Sequence, residues 1–267
     1  MDKQLKNDIL TTKALSIGYC SKDGINQIYS DINISLKSKK LVCLLGKNGA
    51  GKSTLLRTIS KTQHALSGEV IIQNKNLKDT DHSDLAKTMS LVLTEKIPES
   101  QLTVYELIAL GRQPYTNWLG KLTTEDSKII DTAIELAGVK EIAHKKNYEL
   151  SDGQLQKVMI ARALSQDTSI IILDEPTAHL DLHHKIEVFK LLQNLVKKTK
   201  KTIIFSTHEV NLALNIADEL WLMLPDKFTS GSIDFHIKEN NLENLFSTNQ
   251  VEFNAELKQF TIKNQTS

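Results

Sequence analysis

Gly46-Lys47-Asn48-Gly49-Ala50-Gly51-Lys52-Ser53-Thr54 is the stretch on which the reading of this chain turns. It fits G-x-x-x-x-G-K-[ST], the loop that wraps the phosphates of a nucleotide. Glycines let the backbone enter dihedrals closed to other residues, so that successive N–H groups turn inward as an anion nest. Lys52 adds a mobile positive charge for the β- and γ-phosphates, and the Ser53 hydroxyl suits Mg²⁺. A glycine-rich turn can equally be a plain connection, so the flanking residues decide. Leu41 to Leu45 is a short apolar run fit for a buried parallel strand, and Thr54 to Ile59 continues with helical spacing. The loop thus joins a strand to a helix whose positive end points at the phosphates.

Composition narrows the function. The 267 residues suffice for one full core, with or without a subdomain. A net charge of +1, with lysines scattered among acids, gives no footprint for nucleic acid. Cys20 and Cys43 make no disulfide framework, and Cys43 lies in the apolar strand, which fits a reducing compartment. The N-terminus lacks the apolar core of a signal peptide, and no run approaches the roughly 20 apolar residues of a spanning helix. The expectation is a soluble chain that reaches a membrane only through a partner.

Ahead of the loop, Ala14 to Tyr19 and Ile28 to Leu36 flank the polar turn Ser21-Lys22-Asp23-Gly24. They predict two strands, with Ile32, Ile34 and Leu36 on one covered face. Tyr19 is either an aromatic platform for adenine or ordinary strand packing. Beyond the loop, Gly68 to Ile72 and Ser90 to Leu93 predict strands, and Ser83 to Lys87 a polar helix. A helical stretch follows from Thr103 to about Ala143, its second helix opening at Thr123-Thr124-Glu125-Asp126. Ile129, Ala133, Ile134, Leu136 and Ala137 form that helix's apolar stripe.

Leu150-Ser151-Asp152-Gly153-Gln154 opens a further helix, Leu155 to Leu164, with Ser151 as its candidate cap. Its first N–H groups either end in that cap or meet a phosphate. Ile170 to Leu173 then delivers Asp174 and Glu175 at the C-terminal end of an apolar strand, where parallel sheets place ligands. Asp174 can accept from Mg²⁺-bound water, and Glu175 can polarise an attacking water. Carboxylates directly after a buried run call for a nearby cation. His208 ends the next apolar strand, Thr202 to Ser206, off the same edge, placed to donate to a γ-phosphate oxygen. His183 and His184, adjacent on a helix, face different directions and read as surface. From Pro225 onward, Ile233, Phe235 and Ile237 alternate, as do Val251, Phe253, Ala255 and Leu257, around a polar, asparagine-rich Lys238 to Asn244. That pattern predicts short closing strands.

Taken in order, these motifs resemble the ATP-binding subunit of ABC transporters, to about residue 224. Tyr19 falls where that family has its adenine-stacking aromatic. Gly46, Asn48, Gly49, Ala50, Gly51, Lys52, Ser53 and Thr54 fall on the Walker A loop. Leu150 to Gln154 match the signature, with Ser151, Gly153 and Gln154 toward a phosphate. Ile170 to Pro176 match Walker B, Ala178 to Asp181 the D-loop, and Thr207-His208 the switch histidine. The resemblance implies an α/β P-loop NTPase fold: a RecA-like parallel core sheet, an antiparallel β subdomain, and a helical subdomain inserted at about 100–160. The ABC domain would occupy 1–224, with a β-rich extension over 225–267.

The resemblance also implies a Mg²⁺-dependent ATPase, with Glu175, His208 and Lys52 catalytic. Ser53, Asp174 and the Q-loop residue Glu95 would attend the metal. The sequence departs from the family at two of these motifs. Glu95 stands where a glutamine is usual, and Asp152 replaces the third signature residue, usually glycine. A carboxylate near a γ-phosphate would repel it, so Asp152 is expected to face away. With one copy of each motif, two chains are implied to pair head to tail around two ATP molecules. An integral membrane permease would hold them at the cytoplasmic face of the membrane, near Glu95, Ile97 and Tyr105, with a solute-binding protein as an indirect partner. Leu110 to Tyr115, Trp118 to Gly120 and Pro176 to Leu182 look like subunits that energise import of iron–siderophore, haem or cobalamin. The alternatives are a soluble ABC ATPase that remodels a cytosolic partner, as in iron–sulfur assembly, and a nucleotide-binding module without turnover.

Overall fold

The computed structural model describes residues 8–22, 24–94, 98–245 and 250–263. They fall into two compact units, Met1–Thr80 with Ile204–Ser267, and Asp81–Ile203. The first opens with β1 (Asp8–Ser21) and β2 (Gly24–Lys37), paired antiparallel. Period-two alternation in β2 buries Ile32, Ile34 and Leu36 and exposes their neighbours, as expected of a sheet with one covered face. The register slips in β1 around Ala14, whose φ is 43° and whose N–H donates to Asn33 Oδ1 at 2.8 Å. β3 (Leu41–Gly46) is buried along its whole length and feeds the glycine-rich loop and α1 (Lys52–Ile59). β4 (Ser67–Ile72) and β5 (Lys75–Asn76) complete an antiparallel sheet of order β2-β1-β4-β5.

The second unit comprises α2 (His82–Ala86), β6 (Met89–Val92), α3 (Val104–Ala109), a 3-10 run Leu110–Tyr115, α4 (Thr124–Ala137), α5 (Asp152–Ser165), β7 (Ile170–Leu173) and α6 (Leu182–Thr199). β6 and β7 pair in parallel, and β7 is four buried aliphatic residues, the continuous apolar run that parallel strands need. α3, α4 and α5 each open on a reciprocal capping box, Thr103 with Glu106, Thr123 with Asp126 and Ser151 with Gln154. The buried Arg112 donates from Nε to Asp126 Oδ1 at 2.8 Å and ties the 3-10 run to α4. The buried stripe of α4 is Ile130, Ala133, Ile134 and Ala137, with Ile129 and Leu136 only half-buried at its edge.

The division between the units falls inside β8 (Thr202–Ser206). Strand order is β8-β7-β6 in the second unit and β10-β9-β3-β8 in the first. There the chain returns through α7 (Val210–Leu214), β9 (Glu219–Met223) and β10 (Phe228–Gly231), with β9 parallel to β3 and β10 antiparallel to β9.

The closing segment departs from its sequence pattern. Ile233, Phe235 and Ile237 lie in α8 (Ile233–Lys238), because the Ser232 hydroxyl accepts from Phe235 N–H as an N-cap and seeds a turn of helix. The polar Lys238 to Asn244 region is not merely a linker, since α9 (Asn241–Leu245) buries Asn241, Leu242 and Leu245. After β10, strand structure returns only in the hairpin β11 (Val251–Asn254) and β12 (Gln259–Ile262), whose Phe253 and Phe260 rings sit 5.1 Å apart. Ala255 and Leu257 lie in its turn.

Candidate functional site

Within the first unit, the loop leaves the buried β3 and enters α1 through two glycines at positive φ, 78° at Gly49 and 99° at Gly51. Ala50 N–H donates back to Lys47 O at 3.1 Å, and Leu55 N–H to Gly51 O at 2.8 Å, which fixes the loop's curl and starts the helix. Gly51 is also a packing requirement, because a Cβ there would lie 2.6 Å from Ile28 Cγ2. Lys52 is 5% exposed, and its Nζ donates to the carbonyls of Gly46 at 3.1 Å and Lys47 at 3.4 Å. The ammonium is thus held inside the curl by the loop's own oxygens. Behind it, burial pushes the Cys43 thiol well up, with the Lys52 charge acting the other way. Tyr19, on β1, is half-exposed, and its hydroxyl lies 2.9 Å from Thr54 Oγ1. His208 follows β8, exposed, with its carbonyl accepting from Val210 N–H at 3.0 Å. A phosphate chain fits this half: inward-curling backbone, a buried ammonium, the start of an eight-residue helix and an aromatic face in one unit.

Within the second unit, Asp174 directly follows β7 at 3% exposure. Its N–H donates to Val92 O at 2.9 Å, and its carbonyl accepts from the Thr94 hydroxyl at 2.8 Å. Glu175 follows at φ 48°, directly before Pro176. A left-handed non-glycine residue costs about 1–3 kcal/mol, and such outliers persist where surroundings over-determine them, often at functional sites. The Glu175 carbonyl accepts from Ala178 N–H at 3.0 Å, closing the turn that carries this strain. Glu175, Thr94, Asp152, Gln156 and His179 line a cavity of about 80 Å³. Asp152 therefore borders a cavity of its own unit. Ser151 caps α5, while Gly153 is buried and helical.

Asp181 caps α6, accepting from His184 N–H at 2.9 Å, and the same carboxylate sits 2.9 Å from His184 Nδ1. Those bonds from the His184 amide and ring hold the Asp181 carboxyl below its usual range. The two histidines read as surface differ in what they touch. His183 is exposed, but His184 lies against Gly153, where a Cβ would come within 2.4 Å of its ring. The spacing Asp181-x-x-His184 is the signal for the bonds that tether the ring, an N-cap reaching its own third helical residue; the contact with Gly153 has no local signal. Thr94 is a second residue absent from the sequence reading, since its part depends on a long-range bond. Glu95 and Ile97 lie outside the described residues, and Tyr105 is half-buried on α3 with its N–H on Ala143 O at 3.0 Å. Among the described residues no group of three or more His, Cys, Asp or Glu can hold a metal ion, so Mg²⁺ would need oxygens from a nucleotide besides those of Ser53 or Asp174.

Comparison with known proteins gives this geometry a context. The ABC transporter family pattern matches residues 29–178. An iron(3+)-hydroxamate import ATP-binding protein of Bacillus subtilis is 40% identical over 76% of this chain and 74% of its own length. A solved transporter described as of the metal-chelate ABC type, in an inward-facing conformation, superposes with a TM-score of 0.79 at 25% identity, covering 97% of this chain and 99% of that one. A bacterial ABC transporter cassette solved as a dimer superposes with a TM-score of 0.71 at 27% identity, over 84% of this chain and 98% of the other.

Proposed function

Because this chain belongs to the ABC transporter family of ATP-binding proteins, we propose that it is the ATP-hydrolysing subunit that energises import of an iron complex through a membrane permease. The observation that carries the hydrolytic reading is Glu175, a carboxylate held at φ 48° one residue beyond the buried Asp174 that follows the four buried residues of β7. In this reading the curl of Gly46 to Thr54 binds the β- and γ-phosphates of ATP, Lys52 neutralises their charge, and Tyr19 offers its ring to adenine. Ser53 and Asp174 attend the Mg²⁺ that arrives with the nucleotide and that supplies charge neutralisation on the transferred phosphoryl oxygens. Glu175 orients a water and takes its proton. His208 donates to the γ-phosphate.

Two copies pair head to tail, so that the N–H groups at the start of α5, with Ser151, Gly153 and Gln154, meet the nucleotide held by the other copy. Hydrolysis removes the shared γ-phosphate and loosens the pair, a ligand biasing a two-state interface. The likeness to a cassette solved as a dimer supports the pairing, and the hydroxamate-import relative supports iron-complex import over remodelling of a cytosolic partner. Among the described residues no helix is long and apolar enough to cross a membrane, and in this reading the permease makes the crossing. ABC domain, helical insertion and C-terminal extension then divide the work: nucleotide, permease contact and closure of the fold.

ATPase turnover tests this, measured alone and with the co-purified permease. Glu175→Gln is expected to keep ATP binding, lose roughly a hundredfold in rate, and accumulate as an ATP-Mg²⁺ dimer. Equal turnover in both proteins removes Glu175 from its role. Ferric siderophore and haem uptake that are both unchanged on deleting the chain refute the import assignment.

A further inference from the structure

Gly153 sits in the first turn of α5 at an ordinary helical φ, so backbone conformation gives no reason for glycine there. The reason is a neighbour. A Cβ on Gly153 would lie 2.4 Å from His184 Cδ2, 2.8 Å from Cγ and 3.1 Å from Nε2, so the imidazole edge occupies the place of a side chain. The ring is tethered on one edge. Its Nδ1 is 2.9 Å from both carboxylate oxygens of Asp181, and its own N–H is bound by the same carboxylate. A second link runs alongside, Lys157 Nζ on α5 to Glu187 Oε2 on α6 at 2.8 Å. α5 and α6 therefore meet through a short chain, Asp181 to His184 to Gly153, that joins the loop before α6 to the N–H groups that begin α5.

We propose that His184 is a positioning residue that locks the Asp181 loop to the first turn of α5, so that both face a second copy of this chain as one piece. This rests on the reading that ATP is sandwiched between two copies. The physical reason is that the helix start binds phosphate through backbone N–H groups, which cannot adjust as a long side chain can. A misplacement of about 1 Å is enough to cost roughly a hundredfold in rate. Aligning those N–H groups through a ring pinned at Asp181 makes phosphate binding at one segment depend on the seating of the other. Nucleotide binding by the phosphate loop of a single chain is independent of His184 on this account.

The test is a double-mutant cycle at the contact, run on the full chain with its permease and, for dimerisation, in the Glu175→Gln background. Gly153→Ala is expected to lose roughly a hundredfold in kcat, because the new methyl meets the tethered ring and pushes the first turn of α5, with its N–H groups, out of place. His184→Ala is expected to lose about tenfold in kcat and in ATP-dependent dimer formation, with the monomer's affinity for ATP and its melting temperature unchanged. The double variant Gly153→Ala/His184→Ala is expected to return to the level of His184→Ala, since the clash is gone. His184→Asn, which keeps a donor near the position of Nδ1, is expected to recover part of the loss.

A double variant no better than Gly153→Ala overturns the inference, for the methyl would then harm the phosphate contact directly. So does His184→Ala with wild-type kcat, or a loss of rate tracked by an equal loss of melting temperature. If the Glu175→Gln parent itself forms no dimer with ATP-Mg²⁺, the sandwich reading fails and this inference falls with it. A parent that dimerises beside indifferent His184 variants refutes the inference alone.

Discussion

The Tyr19 hydroxyl lies 2.9 Å from Thr54 Oγ1, so the exposed aromatic on β1 is tied to the residue that ends the phosphate-loop motif. Thr54 is 4% exposed and Tyr19 47%, which leaves the ring in solvent with its tip anchored. An anchored ring stacks on a base with less conformational entropy to lose. Tyr19→Phe keeps the face and removes the tether; its affinity for ATP is expected to fall by less than about threefold. Tyr19→Ala removes the face, and the loss expected from base stacking is about tenfold. Titration of the isolated chain with a fluorescent ATP analogue checks both, and equal effects of the two substitutions would show that the ring does not stack.

Gly49 and Gly51 both sit at positive φ, yet they answer to different constraints. Nothing lies within 4 Å of a Cβ built on Gly49, whereas at Gly51 it would meet Ile28 Cγ2 at 2.6 Å. Gly49→Ala is therefore expected to cost about 1 kcal/mol of stability, the price of a left-handed alanine. Gly51→Ala adds a clash to that strain, and about 2–3 kcal/mol is expected, together with loss of ATP binding as the curl opens. Urea denaturation of both variants beside ATP titration separates the two effects.

The fold was legible where short-range chemistry suffices. Leu41 to Leu45, Ile170 to Leu173 and the core of Thr202 to Ser206 are apolar runs short enough for buried strands, and the glycines of the loop announce their own dihedrals. The acidic turn Thr123 to Asp126 marked the start of α4 within a residue, and Ser151 is the cap of α5, although that helix begins at Asp152, three residues before the expected Leu155. What escaped depends on distant partners or on ambiguous periods. The Ile233, Phe235, Ile237 alternation spans five positions, too few to separate a strand from a short helix when Ser232 supplies a cap. His184 reads as surface from its own helix, and only the missing side chain of Gly153 shows where its ring goes. Thr94 gains its place from the carbonyl of Asp174, eighty residues on.

Asp126 makes stability in the second unit depend on acid. Its carboxylate accepts from Thr123 Oγ1 at 2.7 Å and Thr123 N–H at 2.8 Å, and from Arg112 Nε at 2.8 Å. The Thr123 bonds first, and then Arg112, bring its pKa from 3.8 down to about 2. A depressed carboxyl contributes stability that is fully present above its unfolded pKa and is lost as pH falls through the folded one. Asp126→Asn leaves Arg112 buried beside a neutral partner, and a loss of about 3 kcal/mol is expected at neutral pH. Denaturant midpoints of wild type and variant should stay apart down to about pH 4 and converge between there and about pH 2. A constant gap over that range would place the stabilisation elsewhere.

His236 gives the first unit the opposite kind of group. It is fully buried on α8, with Nε2 3.1 Å from Leu220 O and Nδ1 3.3 Å from Asn241 Nδ2. The carbonyl needs a proton on Nε2, and the amide nitrogen donates to Nδ1, so these partners select the neutral ring. Burial lowers its pKa below 6.5, outweighing the raising effect of the backbone bonds at Leu220 and Gly231. Protonation would point a second N–H at the donor of Asn241, whose Oδ1 has no partner among the described residues, and turning that amide would only exchange one orphan for another. The unfolded chain binds a proton near pH 6.5 while the folded chain does not, so stability is lost as pH falls through that value. His236→Gln is expected to be less stable at neutral pH by about 1–3 kcal/mol, but without this acid dependence. The gap between the two proteins in urea should therefore narrow as pH drops from about 7.5 to about 5.5; a gap that widens would mean that the folded protein prefers the charged ring.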